Sequence, residues 1–110
     1  MQSSETGLSP CFNPLNCVFF QKEFENVDIS FNQLVTIAEN FPRTKVIKKN
    51  ERYWKGVCRS LIFRFPDDLE ILKIGKIIQI KSASRYGRGD LGVNGARVGR
   101  LLTDLEKLNS

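Results

Sequence analysis

The side chains most able to do chemistry are concentrated in segment 82–94, which is long, polar and interrupted by glycine. Its three glycines permit positive φ angles and a close approach of the backbone to a ligand. The segment leads into a predicted helix, whose free N–H groups favour an anion, and Arg85 and Arg88 would add bidentate donors. Its spacing matches neither the P-loop nor the dinucleotide-binding pattern, so any anion site here has no nucleotide motif.

Two interpretations of this segment stay open. In the first, Asp90 and Asn94 hydrogen-bond the backbone of the loop while Arg85 pairs with Asp67 or Asp68, which makes a purely structural clamp. In the second, arginines of the central strand and the loop converge with serine and asparagine side chains on one end of the sheet. That arrangement would form a pocket for an anionic small molecule or an acidic protein partner.

An enzyme is the alternative to a binding module. The candidate nucleophiles are Cys17 and Cys58, the candidate acids and bases are Asp67, Asp68 and Asp90, and Ser60 or Ser84 would need a nearby base. The sequence contains no histidine, so an arginine would have to activate a cysteine by lowering its pKa. Two adjacent carboxylates after a proline are more typical of a turn and an arginine partner than of a metal pair.

The cysteines favour no complete disulfide framework, because Cys11, Cys17 and Cys58 are an odd number in a short chain. Reduced thiols are the default expectation. A turn around Asn13 and Pro14 could nevertheless bring Cys11 and Cys17 together in an oxidising compartment. Zinc would need a carboxylate as a fourth ligand in a chain without histidine, so no metal and no cofactor is expected.

The charge balance permits binding to nucleic acid but does not favour it. The net charge is +5, yet acidic and basic residues are interleaved. Tyr53, Trp54 and Lys55 could form a stacking platform, although residues that alternate along a strand more often place one ring in the core. The apolar runs are too short to span a membrane, and the N-terminus has no secretory pattern. A cytoplasmic or plastid-stromal location is therefore predicted.

Periodicity predicts an α+β fold: a four-stranded antiparallel β-meander with two helices packed on one face and an irregular N-terminal arm. The arm covers residues 1–28, and a single domain covers residues 29–110. The predicted helices are 30–41 and 94–108, each with an apolar face at helical spacing, which on the second helix is rich in leucine. The predicted strands are 45–49, 53–65, 69–74 and 77–82. Aromatic residues of the arm are costly to leave in water, so the arm is expected to pack on the domain.

Local signals refine three of these elements. Ser30 is predicted to cap the first helix, with Gln33 completing a capping box and Ile29 stapling onto Leu34. Residues 66–68, Asn50-Glu51 and Gly75 are predicted to be the turns of three hairpins. Alternation along the strand 53–65 places Arg59 on the mainly apolar face together with Val57, Leu61, Phe63 and Phe65.

Three ordered blocks of the chain resemble the domain of unknown function 1499 family. The first block is Cys11-x-x-x-x-Asn16-Cys17, the second runs from Arg59-Ser60 through Phe63-Arg64-Phe65 to Asp67-Asp68 and Glu70, and the third runs from Ser82 to Asn94 with Arg97 after it. Together they cover residues 11–108. Gly95 stands where the family usually has a basic residue, and we expect this chain to lack the N-terminal leader or anchor of many relatives.

The resemblance implies a set of positions rather than a chemistry, since the family, which is spread across bacteria and photosynthetic eukaryotes, brings no established activity or cofactor. We therefore expect a non-catalytic binding or assembly module with a polar site lined by arginine, serine and asparagine. The candidate ligand-binding residues are Arg59, Ser60, Arg64, Asp67, Asp68, Ser82, Ser84, Arg85, Gly87, Asp90, Asn94 and Arg97. The alternatives are an enzyme at the same site and a weak nucleic-acid binder.

Overall fold

The fold is an antiparallel β-sheet with two helices on one face. The computed structural model describes residues 7–61, 65–86 and 92–110. Its elements in chain order are β1 (Cys17–Glu23), α1 (Val27–Glu39), β2 (Thr44–Lys49), β3 (Tyr53–Arg59), β4 (Pro66–Ile74), β5 (Ile77–Ser84) and α2 (Val93–Leu108). The strand order is β1-β5-β4-β3-β2, so the chain forms a meander to which β1 is added at the β5 edge. The predicted α+β class is confirmed.

The sheet has five strands rather than the four predicted, because β1 forms within the stretch expected to be an irregular arm. Val18 and Phe20 pack against the core, and Phe20 lies opposite Ile80 of β5. Because β1 begins with four consecutive apolar residues, its sequence does not show which side chains alternate toward the core. The partner of β1 is also about sixty residues away along the chain, a non-local pairing that no local pattern reveals.

The first helix begins earlier than predicted. It starts at Val27, and its Ser30 N–H donates to the Asn26 carbonyl as part of the first turn. Within the described residues, the Asn26 side chain makes no capping hydrogen bond. The predicted cap at Ser30 and staple from Ile29 are therefore wrong, and Ile29 is 57% exposed. The predicted apolar face is confirmed. Its buried members are Phe31, Leu34, Val35 and Ala38.

The predicted strand 53–65 is shorter in the structure. It ends at Arg59, and β4 already begins at Pro66. Asp67 and Asp68 are consequently strand residues that pair with β3, and the turn predicted at residues 66–68 is wrong. The other two hairpins are confirmed. Asn50 Oδ1 accepts the N–H groups of Arg52 and Tyr53 in the turn between β2 and β3, and Gly75 adopts φ +57° between β4 and β5.

The predicted faces of β3 are also reversed. Trp54 and Cys58 face the helices and belong to the core, whereas Arg59 is exposed. Leu61 and Phe65, which were expected to continue the apolar face, are more than half exposed. The connection between β3 and β4 interrupts the alternation, so counting by twos beyond Arg59 does not identify the buried side.

Both helices cover the same face of the sheet, as predicted, and share one apolar core. Trp54 is completely buried in this core, and its indole Nε1 donates to Glu39 Oε2 at 3.0 Å near the end of α1. Helix α2 contributes a stripe at helical spacing, whose buried members are Val98, Leu101 and Leu105. The leucine-rich face predicted for the second helix is therefore confirmed.

Gly56 is required because the Trp54 ring covers it. A Cβ atom at Gly56 would collide with Trp54 Cη2, whereas one at Gly99 on α2 would meet no atom of the described residues within 4 Å. We expect Gly56→Ala to lower the free energy of unfolding by about 1–3 kcal/mol through overpacking. Urea denaturation measures this. The control, Gly99→Ala, should raise stability by up to about 1 kcal/mol, and equal effects of the two changes would contradict the steric explanation.

Candidate functional site

A buried amide at the start of α2 joins three parts of the chain. Asn94 is completely buried, and its Nδ2 donates to the Asn16 carbonyl at 3.1 Å and to Ser84 Oγ at 3.0 Å. Its Oδ1 accepts the hydroxyl of Ser82 at 2.5 Å. The amide thereby ties α2 to the end of β5 and to the residue that precedes β1.

A buried ion pair extends this network toward β4. Arg97 Nη1 lies 3.0 Å from Asp67 Oδ2, and the two side chains are only 11% and 6% exposed. The same nitrogen donates to Ser82 Oγ at 3.0 Å and to Asn94 Oδ1 at 2.9 Å. A buried charge is tolerated only when it is paired and hydrogen-bonded, and Arg97 meets both conditions. We call Asn16, Asp67, Ser82, Ser84, Asn94 and Arg97 the polar network.

A second arginine–aspartate pair lies beside the polar network on β4. Arg85 Nε lies 3.0 Å from Asp68 Oδ2, and Arg85 Nη2 lies 2.9 Å from Asp68 Oδ1. These hydrogen bonds and the negative charge of Asp68 raise the pKa of Arg85. The predicted pairing of Arg85 with one of the two aspartates is therefore confirmed for Asp68. The pair is partly exposed, so it contributes little stability.

The structure brings most of the predicted site residues to one end of the sheet, but with different roles. Ser60 Oγ accepts the Phe65 N–H at 3.1 Å and so bridges the ends of the β3–β4 connection. Arg59 lies at the exposed end of β3. Arg64, Gly87 and Asp90 lie outside the described residues. The polar atoms of the network bond one another, which is the arrangement of a clamp, and this clamp also includes Asn16 and Arg97.

Cys11 and Cys17 form a disulfide, and Cys58 is a buried free thiol. The default expectation of three reduced thiols is therefore wrong. The bonded pair also leaves the hypothetical zinc site without two of its sulfur ligands and removes Cys17 as a nucleophile. In the described ranges, no group of three or more cysteine or acidic residues could hold a metal ion. Thr44 donates its hydroxyl to Cys58 Sγ at 3.4 Å.

A groove of about 630 Å³ lies between the two helices and the β2–β3 edge, next to the polar network. Among the described residues, five cationic side chains but a single carboxylate, Asp104, line it. The cationic residues are Arg43, Arg59, Arg97, Arg100 and Lys107. Apolar side chains from α1 and α2 also contribute to its wall, among them Ile37 and Leu108. We call this the cationic groove.

Three charged groove residues of α2, namely Arg100, Asp104 and Lys107, were not predicted from the sequence, although a signal for them exists. Arg97, Arg100, Asp104 and Lys107 recur at helical spacing along α2 and form a charged stripe beside the leucine stripe. Such a stripe is normally a solvated face of a helix. It becomes the wall of a groove only because α1 and the β2–β3 edge approach it, which the periodicity of α2 alone does not show.

A second cleft, of about 610 Å³, lies on the helix-free face of the sheet beneath residues 7–9. At its side, the Tyr53 hydroxyl donates to Glu70 Oε2 at 2.5 Å, and burial and the Glu70 carboxylate raise the pKa of Tyr53. Trp54 lies in the core and Tyr53 on the opposite face, as the alternation predicted. The two rings therefore form no shared stacking platform.

The described part of the chain contains no helix that is both long and apolar enough to cross a membrane.

The fold and the polar network define the class of this protein: a small α+β domain in which a buried polar clamp fixes a helix against an antiparallel sheet. The sequence profile of the family described as "Protein of unknown function (DUF1499)" matches residues 8–105, and the chain belongs to this family. A search of curated proteins found no match.

The two arginines on one helix allow a direct test of the buried ion pair. We expect Arg97→Met to lower the free energy of unfolding by about 3–5 kcal/mol, because it leaves the Asp67 carboxylate buried and unpaired. Arg100→Met should change it by less than about 0.5 kcal/mol, because the Arg100 side chain is 70% exposed. Chemical denaturation of both variants distinguishes the two. Equal destabilisation would contradict a stabilising role specific to the network.

Proposed function

We propose that this domain is a non-catalytic binding module and that its cationic groove takes a small anionic ligand. The observation that carries the proposal is the excess of positive charge in a concave site, where the described residues place five cationic side chains around one carboxylate. Arginine and lysine in a cleft between low-dielectric walls concentrate anions there. Arginine in addition offers paired donors that fit a carboxylate or a phosphate.

The charges around the groove are of two kinds. Arg97 is engaged by Asp67 in the buried network and serves to fix the wall of the groove. Arg100 is exposed on the same helix, where it pairs with Asp104 at 3.1 Å, an ion pair that solvent screens. A ligand anion would compete with Asp104 for Arg100. We therefore assign ligand contact to Arg100, Lys107 and Arg43, and a supporting role to Arg97.

The size and lining of the groove narrow the class of ligand. A volume of about 630 Å³ lies within the range of roughly 300–1,000 Å³ that is typical of small-molecule sites. Ile37, Phe41, Val93 and Leu108 add apolar surface beside the cations. A ligand with an anionic group and an apolar portion, such as an organic phosphate or carboxylate, matches this combination better than a bare inorganic ion does.

The non-catalytic part of the proposal is supported by the partners of the candidate catalytic groups. Asp67 and Asp68 are each bound to an arginine, and Ser82 lies inside the buried network. Cys58 is 3% exposed and belongs to the apolar core. Groups held in this way are engaged by other parts of the protein, whereas a general base or nucleophile must reach a substrate atom.

We expect phenyl phosphate and octanoate to raise the midpoint of thermal unfolding more than inorganic phosphate does, because they combine charge with an apolar group. In Arg100→Gln/Lys107→Gln, binding of the same probes by calorimetry should weaken by about tenfold or more, since charge-assisted hydrogen bonds are lost. Added salt should weaken binding to the wild type.

The matched control is Lys22→Gln/Lys76→Gln, which removes the same charge from β1 and from the β4–β5 turn, away from the groove. It should bind the probes as the wild type does. The proposal is wrong if the control loses as much affinity as the groove variant, or if none of the three probes shifts the midpoint. An acidic segment of a protein partner would then be the next ligand to test.

We also infer that the protein resides in an oxidising compartment. The sequence favoured the cytoplasm or the plastid stroma, but a Cys11–Cys17 disulfide is typical of an oxidising compartment. Protein isolated from its source with thiols blocked at lysis should present one reactive thiol after denaturation, that of Cys58. Three reactive thiols would instead support the reducing compartments that the sequence favoured.

A further inference from the structure

We propose that the end of the sheet where β1 begins is a docking surface for an anionic lipid bilayer. Its main contact is a loop closed by the Cys11–Cys17 disulfide, and its other contacts are the apolar tips of the neighbouring connections. The exposed apolar residues of this surface are Phe12, Leu15, Leu61, Phe65 and Tyr86. We call them the apolar tips.

The loop between the two cysteines exposes its large apolar side chains to water. Phe12 is 91% exposed and Leu15 is 69% exposed. The disulfide closes the loop over a separation of six residues. Inside it, Asn13 Oδ1 accepts the Leu15 N–H at 2.9 Å. The disulfide and this turn restrict the backbone of the loop while its large apolar side chains stay exposed, which is typical of a surface arranged for an apolar partner.

The strand registers place all the apolar tips at one end of the sheet. The first residue of β1 pairs with the end of β5, the start of β4 pairs with the end of β5, and the end of β3 pairs with the start of β4. Leu15, Tyr86, Phe65 and Leu61 lie within two residues of these ends. Phe12 follows Cys11, which the disulfide joins to the first residue of β1. Neighbouring strands are about 4.8 Å apart, so the tips spread along one row in which several can meet a flat surface together.

The charge beside the tips fits an anionic surface. Arg43, Lys45 and Arg59 are exposed at the same end of β2 and β3. In the described part of the chain, the acidic residues of this end are Asp67 and Asp68, and each is bound to an arginine. Apolar and aromatic side chains at the acyl boundary, with basic residues at the level of the headgroups, are how interfacial proteins bind anionic membranes.

A bilayer matches this surface better than a second protein does. The tips belong to separate connections and project from the ends of strands, whereas a typical protein interface has a closely packed apolar core. Each tip can enter the lipid independently. Binding should therefore depend on the number of apolar tips and on the charge of the lipid.

The test is sedimentation of the oxidised protein with vesicles of phosphatidylcholine alone or mixed with phosphatidylglycerol. We expect the protein to sediment with the mixed vesicles and to be released by added salt. The partition coefficient of Phe12→Ser/Leu15→Ser should fall by about tenfold or more, because two large apolar side chains are lost from the contact. Both residues are exposed, so this variant should keep the unfolding midpoint of the wild type.

The control is Ile29→Ser, which removes an apolar side chain of similar exposure from α1, near the opposite end of the sheet. It should partition like the wild type. The proposal is overturned if the wild type stays in the supernatant with mixed vesicles, if the double variant sediments unchanged, or if Ile29→Ser loses as much. Binding that is equal for both kinds of vesicle would overturn the role of the basic residues.

Discussion

The carboxamide of Asn94 is the interaction on which the rest of the structure depends. It makes hydrogen bonds to the residue before β1, to two serines of β5 and to an arginine of its own helix. A buried amide that loses its partners has no water to replace them, so each bond is costly to remove. Three segments that are distant in sequence are thus fixed at one point, and the polar end of the sheet is specified around it.

The polar network also determines what the arginines of α2 can do. Arg97 and Arg100 are three residues apart, yet one is 11% exposed and the other is 70% exposed. The inward guanidinium neutralises Asp67, which would otherwise be a buried charge. The outward guanidinium, that of Arg100, remains accessible in the groove. A single helix therefore supplies both the ion pair that holds it to the sheet and the charge that we assign to a ligand.

Local patterns predicted the parts of the fold that local forces determine. The apolar stripes of both helices and the hairpins at Asn50 and Gly75 follow from periodicity and turn chemistry. The missed elements depend on distant partners: β1 needs the edge of β5, and Asp67 needs Arg97. The cap predicted at Ser30 failed because the apolar pattern of α1 extends one turn further, to Val27, where tertiary packing outweighs a capping motif.

The residues of the candidate site also divide into those that sequence patterns identify and those whose role depends on distant partners. The family blocks identified Asn16, Ser82 and Asn94 as positions, but residue types cannot show that these polar atoms bond one another rather than a ligand. The groove residues Arg100 and Lys107 were missed for the opposite reason, since an exposed charged stripe on a helix is usually a solvated face. The charged stripe becomes the wall of a groove only because α1 packs beside it, and the apolar core sets that packing.

The two proposed surfaces are linked through Asn16. Its carbonyl accepts the amide of Asn94 and the Ser84 N–H, and its own N–H donates to the Asn13 carbonyl within the disulfide-closed loop. The residue that joins the network to β1 is thus also hydrogen-bonded to the loop that carries Phe12. A buried network tolerates few alternative arrangements, so it fixes Asn16 and, through Asn16, one end of the loop. The network also holds α2, which forms one wall of the groove, so it is in contact with both surfaces.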